Sequence, residues 1–357
     1  MIVHQVLSGA GPFDAVTRQA LAFRERFRAW GWGGRDVAAM ADPRMDGRVA
    51  PLAGLEPAPD DLLLVHWSAY APGLRRLLAL PNRMLLLSHN VTPAQWLWGH
   101  DARTAVQCAL GRRMLPVFAE RAELVAGVSA FNAREAGSER VLPILLEPRD
   151  HFPSPPEAKW SREAPVLLFV GRLAPHKRQD ELVRVLAALR ARRAPGARLV
   201  LVGEPLNAAY GAALRDLAER AGPGAVEIVS GISDGELRAR YAQARAFVCL
   251  SEHEGFCIPL LEAFAAGVPV VARPSGGIPE VAGDAALLAP DRDPAVLAEL
   301  VWLACADGEL REELRARGRA RLRAYAPDAV AARMRAAIEE LASRPLTPAR
   351  VPPASAR

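Results

Sequence analysis

"VLLFVGRLAPHKRQDELVRVLAALRARRAPGARLVLVG", residues 166–203, places an apolar run, a stretch with helical spacing and a second apolar run in succession. Short Val/Leu-rich runs on either side of an amphipathic stretch read as strand, helix and strand, and a crossover of that length makes the two strands parallel neighbours. The alternation continues through a helix over 208–221, the strand "AVEIVSG", a helix over 234–244 and the strand "AFVCLS". Ser233 and Glu236 form an S-x-x-E capping box at the start of the third helix. Upstream, "IVHQVL", "LLLVHW", "RMLLLSH", "ELVAGVS" and "RVLPI" read as strands, and Val16, Ala20, Phe23, Phe27 and Trp30 recur at helical spacing. Between the halves, residues 147–165 carry five prolines and little periodicity, as a linker does. The expected class is α/β with two doubly wound parallel sheets.

Bulk numbers narrow the function classes. A chain of 357 residues exceeds what one core ordinarily serves, so two domains are expected. Half of the residues are apolar and a quarter charged, a globular balance. The formal charge of +5 is small for this length and shared between the halves, so no nucleic-acid partner is expected. Four cysteines, Cys108, Cys249, Cys257 and Cys305, show no metal-ligand spacing and read as reduced thiols of a cytoplasmic protein. No run approaches the roughly 20 apolar residues of a membrane span, which leaves a peripheral contact at the inner membrane face as the membrane option. "FRERFRAWGWGGR" mixes arginines with aromatics and can be read as such a contact or as an ordinary amphipathic helix and turn.

In open parallel sheets ligands bind beyond the carboxyl ends of the strands, so the loops there carry the chemistry. After "VLLFV" the segment "GRLAPHKRQD" puts Arg172 and Lys177 in one strand-to-helix connection. A planar fork beside a point charge suits a diphosphate; the alternative is a solvated basic loop. Lysine occurs only at 159 and 177 in a chain that otherwise uses arginine. After "AFVCL" comes "SEHEGFCIPLLEAFAAG", in which Glu254 and Glu262 stand eight positions apart across a break. A helix starting near Ile258 turns the amides of residues 256–260 toward an anion, with Glu254 before it and Glu262 one turn inside. The alternative gives Glu262 a helix-dipole role and Glu254 a surface one. "RPSGGIPEVAGD" marks another backbone-lined loop, "SGAGPFD" follows the first strand, and "SHNVTP" sets His89 at a strand end.

Together these residues resemble the donor domain of the retaining glycosyltransferases of family 4, which have the GT-B fold. The likeness is carried by "VGRLAPHKRQDELVRVLAAL" and "GISDGELRARYAQARAFVCLSEHEGFCIPLLEAFAAGVPVVARPSGGIPEVAGDAALL", and more loosely by "LSHNVTP" and "VAGVSAFNARE". It implies two Rossmann-like doubly wound domains facing across a cleft. These are an acceptor-side domain over 1–150, a linker over 151–163 and a nucleotide-sugar donor domain over 164–326. A final helix over 327–343 then packs back on the first domain, and a disordered tail follows over 344–357. By the same resemblance Glu254 contacts the transferred sugar and the amides of Gly255, Phe256 and Cys257 lie near sugar and phosphate. Glu262 accepts from the ribose, and Arg172 and Lys177 hold the pyrophosphate. Gly11 lets backbone approach the donor, His89 lies beside the anomeric centre, and the backbone near Ile232 meets the base. The family usually has glycine where this chain has Cys257, and often a double glycine where it has "SGAG".

The expected reaction is transfer of a sugar from a UDP- or GDP-linked donor, with no tightly bound cofactor, to a glycan, lipid-linked or small-molecule acceptor in polysaccharide or cell-envelope glycan assembly. Cations and helix-terminal amides on the departing diphosphate supply the stabilisation, so no metal is required. Asp291 and Asp293 form the D-x-D of the chain and read as helix capping. Three other readings exist. A sugar-nucleotide epimerase or a non-catalytic sugar-nucleotide binder shares the donor motifs. "GAGPFD" followed by Asp36 begins like a dinucleotide fingerprint, but Asp14 stands where the third glycine belongs.

Overall fold

The computed structural model describes residues 1–12, 14–145 and 161–345. The chain divides into two units, the first comprising Met1–Gln95, Ala102–Glu147 and Tyr325–Arg357, the second Trp96–Asp101 and Pro148–Ala324. Most of the Pro-rich linker and all but the first two residues of the expected tail lie outside the described residues.

In the first unit the elements run β1 (Val3–Leu7), α1 (Ala15–Ala29), β2 (Asp36–Ala38), β3 (Ala50–Pro51), β4 (Leu62–Trp67), β5 (Met84–Ser88), α2 (Ala102–Arg121), β6 (Leu124–Gly127) and α3 (Ala130–Glu135). The strands pair in parallel in the order β3-β2-β1-β4-β5-β6. Strands β1, β4 and β5 are buried along their whole length, which explains why they read as unbroken apolar runs rather than alternating ones. "RVLPI" is not a strand: Val141 makes only an isolated bridge to Gly127, because Pro143 two residues on has no N–H to extend a ladder. The last helix, α11 in chain order (Pro327–Ser343), belongs to this unit. It buries Val330, Met334, Ile338 and Leu341, and its end is held by Arg83 donating to Ala342 and Arg344 carbonyls and by Arg140 pairing with Glu340 at 2.8 Å.

The second unit continues with β7 (Val166–Val170), α4 (Gln179–Arg192), β8 (Arg198–Val202), α5 (Ala208–Arg220), β9 (Val226–Val229), α6 (Asp234–Gln243), β10 (Ala246–Cys249), α7 (Ile258–Ala265), β11 (Val270–Ala272), α8 (Ile278–Ala282), β12 (Ala286–Leu288), α9 (Pro294–Ala306) and α10 (Gly308–Leu322). Its parallel order is β12-β11-β10-β7-β8-β9. Counted from each unit's first strand, both sheets have the order 3-2-1-4-5-6, which reverses direction between the first and fourth strands. In the second unit that switch point lies between β7 and β10. The Arg172/Lys177 loop leaves β7 and the Glu254 loop leaves β10, so topology alone sets the two side by side.

Local chemistry fixes the helix starts. Ser233 accepts from Glu236 N while the Glu236 carboxylate accepts from Ser233 N at 2.8 Å, completing the capping box of α6. Asp293 caps α9 through Ala295 N, and Asp291 accepts from Arg292 N and Asp293 N, so the D-x-D is spent on a helix start.

Candidate active site

Lys177 and Glu254 meet at the switch point of the second unit, Nζ to Oε1 at 2.6 Å, both largely buried. Ser251 Oγ donates to the same Oε1 at 2.8 Å. Burial opposes the Lys177 charge, but Glu254 outweighs it and the ammonium pKa is raised above its ordinary value. The Glu254 backbone is held as firmly as its side chain. Its carbonyl accepts from Gly277 N at 2.8 Å, and Gly276, at φ +55, packs so closely that a Cβ there would stand 1.9 Å from that oxygen. Glycine at 276, the first of the pair in "PSGG", is therefore required by backbone contact with the Glu254 loop.

Around this pair a charged lattice ties four strand-end loops together, those after β7, β10, β11 and β12. Arg273, after β11, pairs with Glu181 at 2.6 Å; Arg178, after β7, pairs with Glu181 at 2.6 Å and Glu252 at 3.2 Å; Arg292 pairs with Glu252 at 2.5 Å. Burial works against Glu252 ionising, yet Arg292, Arg273 and Arg178 hold its carboxyl below the usual range. His176 is buried behind Lys177, and desolvation with the Lys177, His253 and Arg172 charges lowers it to about 2, so it is neutral.

Cys257 caps α7 at φ 67, ψ 68, a left-handed conformation that glycine adopts without cost, and the helix start carries no side-chain cap and no acidic residue in its first turn. Cys257 Sγ lies 3.9 Å from Cys249 Sγ. Glu262, inside α7, accepts from Tyr241 OH at 2.9 Å. Phe256 is buried beneath the loop. Arg172 is exposed, and among the described residues its guanidinium has no ion-pair partner. Ile232 lies on the separate connection between β9 and α6, half-exposed. The structure thus brings together Lys177, Glu254 and Cys257, and leaves Arg172 and Ile232 on loops around them.

Gly11 and His89 belong to the first unit. Gly11 follows β1, its N–H donating to Thr17 Oγ1 at 3.1 Å. His89 ends β5 and closes a buried chain of hydrogen bonds that sequence reasoning did not find. His89 Nε2 meets His66 Nδ1 at 2.9 Å, His66 Nε2 meets Gln5 Oε1 at 3.0 Å, and Gln5 Nε2 donates to Asp36 at 2.8 Å and to the Ala20 carbonyl at 2.7 Å. Asp36 pairs with Arg24 at 2.7 Å. Asp36 is thereby an internal ion-pair partner rather than the ribose-binding acid of a dinucleotide site. Burial lowers His66 to about 3, and burial with the His66 neighbour lowers His89 well below its ordinary value, so both rings are neutral. The tautomers follow. Both partners of Gln5 Nε2 only accept, so Gln5 Oε1 is the atom facing His66; His66 Nε2 carries its proton, Nδ1 accepts, and His89 Nε2 donates. His89 Nδ1 is left with a lone pair. The signal in the sequence was the polar alternation of Gln5 and His66 within otherwise apolar strands, which points inward only once the strands are paired.

With the geometry in hand, comparison with known proteins defines the class. The fold is that of Anabaena HepE in complex with UDP and glucose, TM-score 0.72 and 16% identity over 95% of this chain and 100% of that one. WaaG, a glycosyltransferase involved in lipopolysaccharide biosynthesis, follows with TM-score 0.69 and 16% identity over 96% of this chain and 100% of that one. That is the GT-B fold. Residues 153–321 match the family described as Glycosyl transferases group 1. Among curated relatives, a GDP-mannose-dependent alpha-(1-6)-phosphatidylinositol monomannoside mannosyltransferase of Mycobacterium tuberculosis is 32% identical over 264 residues, 67% of this chain and 64% of the relative. A GDP-mannose:cellobiosyl-diphosphopolyprenol alpha-mannosyltransferase of Komagataeibacter xylinus is 35% identical over 155 residues, 42% of this chain and 39% of the relative. The chain thus spans less than two thirds of the length of these relatives. Among the described residues no helix is long and apolar enough to cross a membrane.

Proposed function

We propose that this protein is a retaining, metal-independent glycosyltransferase that moves a hexose from a nucleoside-diphosphate sugar to a glycan or lipid-linked acceptor of the cell envelope. The observation that carries the reading is the buried Lys177–Glu254 pair at the switch point of a group 1 glycosyltransferase fold, beside an uncapped helix start. Arg172, Lys177 and the amides of Gly255, Phe256 and Cys257 take the diphosphate, where negative charge grows as the glycosidic bond breaks; fixed donors aimed at that charge lower the barrier. Glu254, held by Lys177 and Ser251, accepts from sugar hydroxyls. Glu262, oriented by Tyr241, accepts from the ribose, and the backbone at Ile232 meets the base. Gly11 lets the first unit's backbone approach the donor, and the lone pair on His89 Nδ1 makes that imidazole an acceptor for a sugar hydroxyl next to the anomeric carbon.

Guanine is the base favoured here, because the relatives at 32 and 35% identity are named for GDP-mannose while the UDP-bound likeness is 16% identical. Membrane contact is confined to a peripheral one. The test is thermal stability against GDP, UDP, ADP, TDP and NAD without added metal, followed by transfer from the sugar of whichever base binds. A ligand present at about 100 times its Kd stabilises by about 2.7 kcal/mol. Stabilisation by GDP with sugar transfer that is lost in Glu254→Gln supports the proposal, and stabilisation by NAD alone defeats it.

A further inference from the structure

Cys249 closes β10 and Cys257 caps α7, and the loop between them returns Glu254 to the same spot. Cys249 Sγ stands 3.9 Å from Cys257 Sγ and 3.9 Å from Glu254 Oε1, and the ligand atoms of all three residues lie within 4.8 Å of one another. All three are buried, with Cys257 the most exposed at 8%. Two thiolates bound to one tetrahedral zinc ion at about 2.3 Å stand about 3.8 Å apart, so the sulfurs already have the spacing of one edge of such a site. Contact between two buried thiols alone would give a similar separation. A carboxylate at the same distance, itself fixed by Ser251 at 2.8 Å, is what a chance thiol contact lacks and what a ligand set has.

We propose that Cys249, Cys257 and Glu254 form a binding site for one thiophilic divalent cation of the zinc class, with the fourth position left to water. Binding forms two metal–sulfur bonds and one metal–oxygen bond and breaks the S–H bonds of both thiols, whose protons pass to solvent. The ion competes with the Lys177 ammonium for Glu254, so it is an inhibitory site and not part of transfer. That consequence rests on the function proposed above, whereas binding itself does not.

The experiment titrates Cd2+ into the reduced protein and follows the ultraviolet thiolate-to-cadmium charge-transfer band, with Zn2+ competition giving its affinity. One equivalent per chain is expected, weakened by roughly 100-fold or more in Cys257→Gly and in Cys249→Ser, since loss of a direct ligand costs more than loss of an outer partner. Glycine adopts the φ of position 257 freely, so Cys257→Gly keeps the fold even if Cys249→Ser does not. Absence of a saturable band, or a band of equal affinity in Cys257→Gly, overturns the site. Because the readout is spectroscopic, a protein that binds cadmium but transfers no sugar separates failure of the functional reading from failure of this one.

Discussion

Glu254 is a carboxylate that folding has taken largely out of water and set against the Lys177 ammonium. Breaking a buried pair by removing one partner costs about 3–5 kcal/mol, because the other charge is left unpaired. Lys177→Met is therefore expected to lower stability by about that much in urea unfolding; a change under 1 kcal/mol would show that solvent already screens Glu254. The Lys177 shift is upward, so its stabilisation is complete below the ordinary lysine pKa and lost only as pH rises above it. His66 acts on the proposed chemistry through His89. His66→Phe removes the acceptor for His89 Nε2–H and leaves that donor buried and unpaired, at about 1–3 kcal/mol. On the proposed mechanism kcat falls about tenfold with donor KM little changed, which corresponds to about 1.4 kcal/mol of lost transition-state stabilisation. His66→Gln, whose amide oxygen replaces the acceptor, should recover part of the loss; equal rates for Phe and Gln would sink the positioning role.

At the scale of elements, the proposed site rests on three loops leaving β7, β10 and β11, each too short to hold a geometry alone. Salt bridges through Glu181 and Glu252 bind them into one body, and Gly276 sets the close contact between the second and third. Gly276→Ala adds a Cβ into the Glu254 carbonyl and a side chain to a left-handed residue. The expected cost is on the order of 3 kcal/mol in stability, or an equivalent displacement of the Glu254 loop with loss of nucleotide affinity. Calorimetry on Gly276→Ala with and without GDP distinguishes the two, and an unchanged melting point with unchanged binding would refute the contact.

For the whole molecule, three buried neutral histidines, His66, His89 and His176, dominate the pH response on the acid side. Each pKa is lowered in the fold from an unfolded value near 6.5, so the unfolded chain binds more protons below that pH and stability falls as pH drops. The slope reaches about 1.4 kcal/mol per pH unit for each imidazole. Urea midpoints measured from pH 7.5 to pH 5 should fall steadily, with a shallower fall in His66→Phe; midpoints independent of pH would mean these rings protonate within the native state. Both units respond together in this prediction, since His66 and His89 lie in the first and His176 in the second.

The alternation of apolar runs and amphipathic stretches was enough to determine two parallel α/β sheets, because a strand buried on both faces must be apolar and a crossover helix must be amphipathic. Sequence also marked the loops that carry Lys177 and Glu254 and the helix that carries Glu262, since spacing and turn glycines are written locally. It missed the short strands Asp36–Ala38 and Ala50–Pro51, whose few residues give no period, and it made a strand of "RVLPI", where Pro143 ends the ladder. Asp36 resembled a cofactor acid until Arg24, twelve residues away in sequence, was seen against it. Contacts of that kind belonged to tertiary structure alone: the Lys177–Glu254 pair, the Cys249–Cys257 approach and the relay from Arg24 to His89 join residues whose separation along the chain says nothing of their distance. Their burial sets charge, tautomer and reach, and burial is a property of the packed molecule, not of any stretch of its sequence.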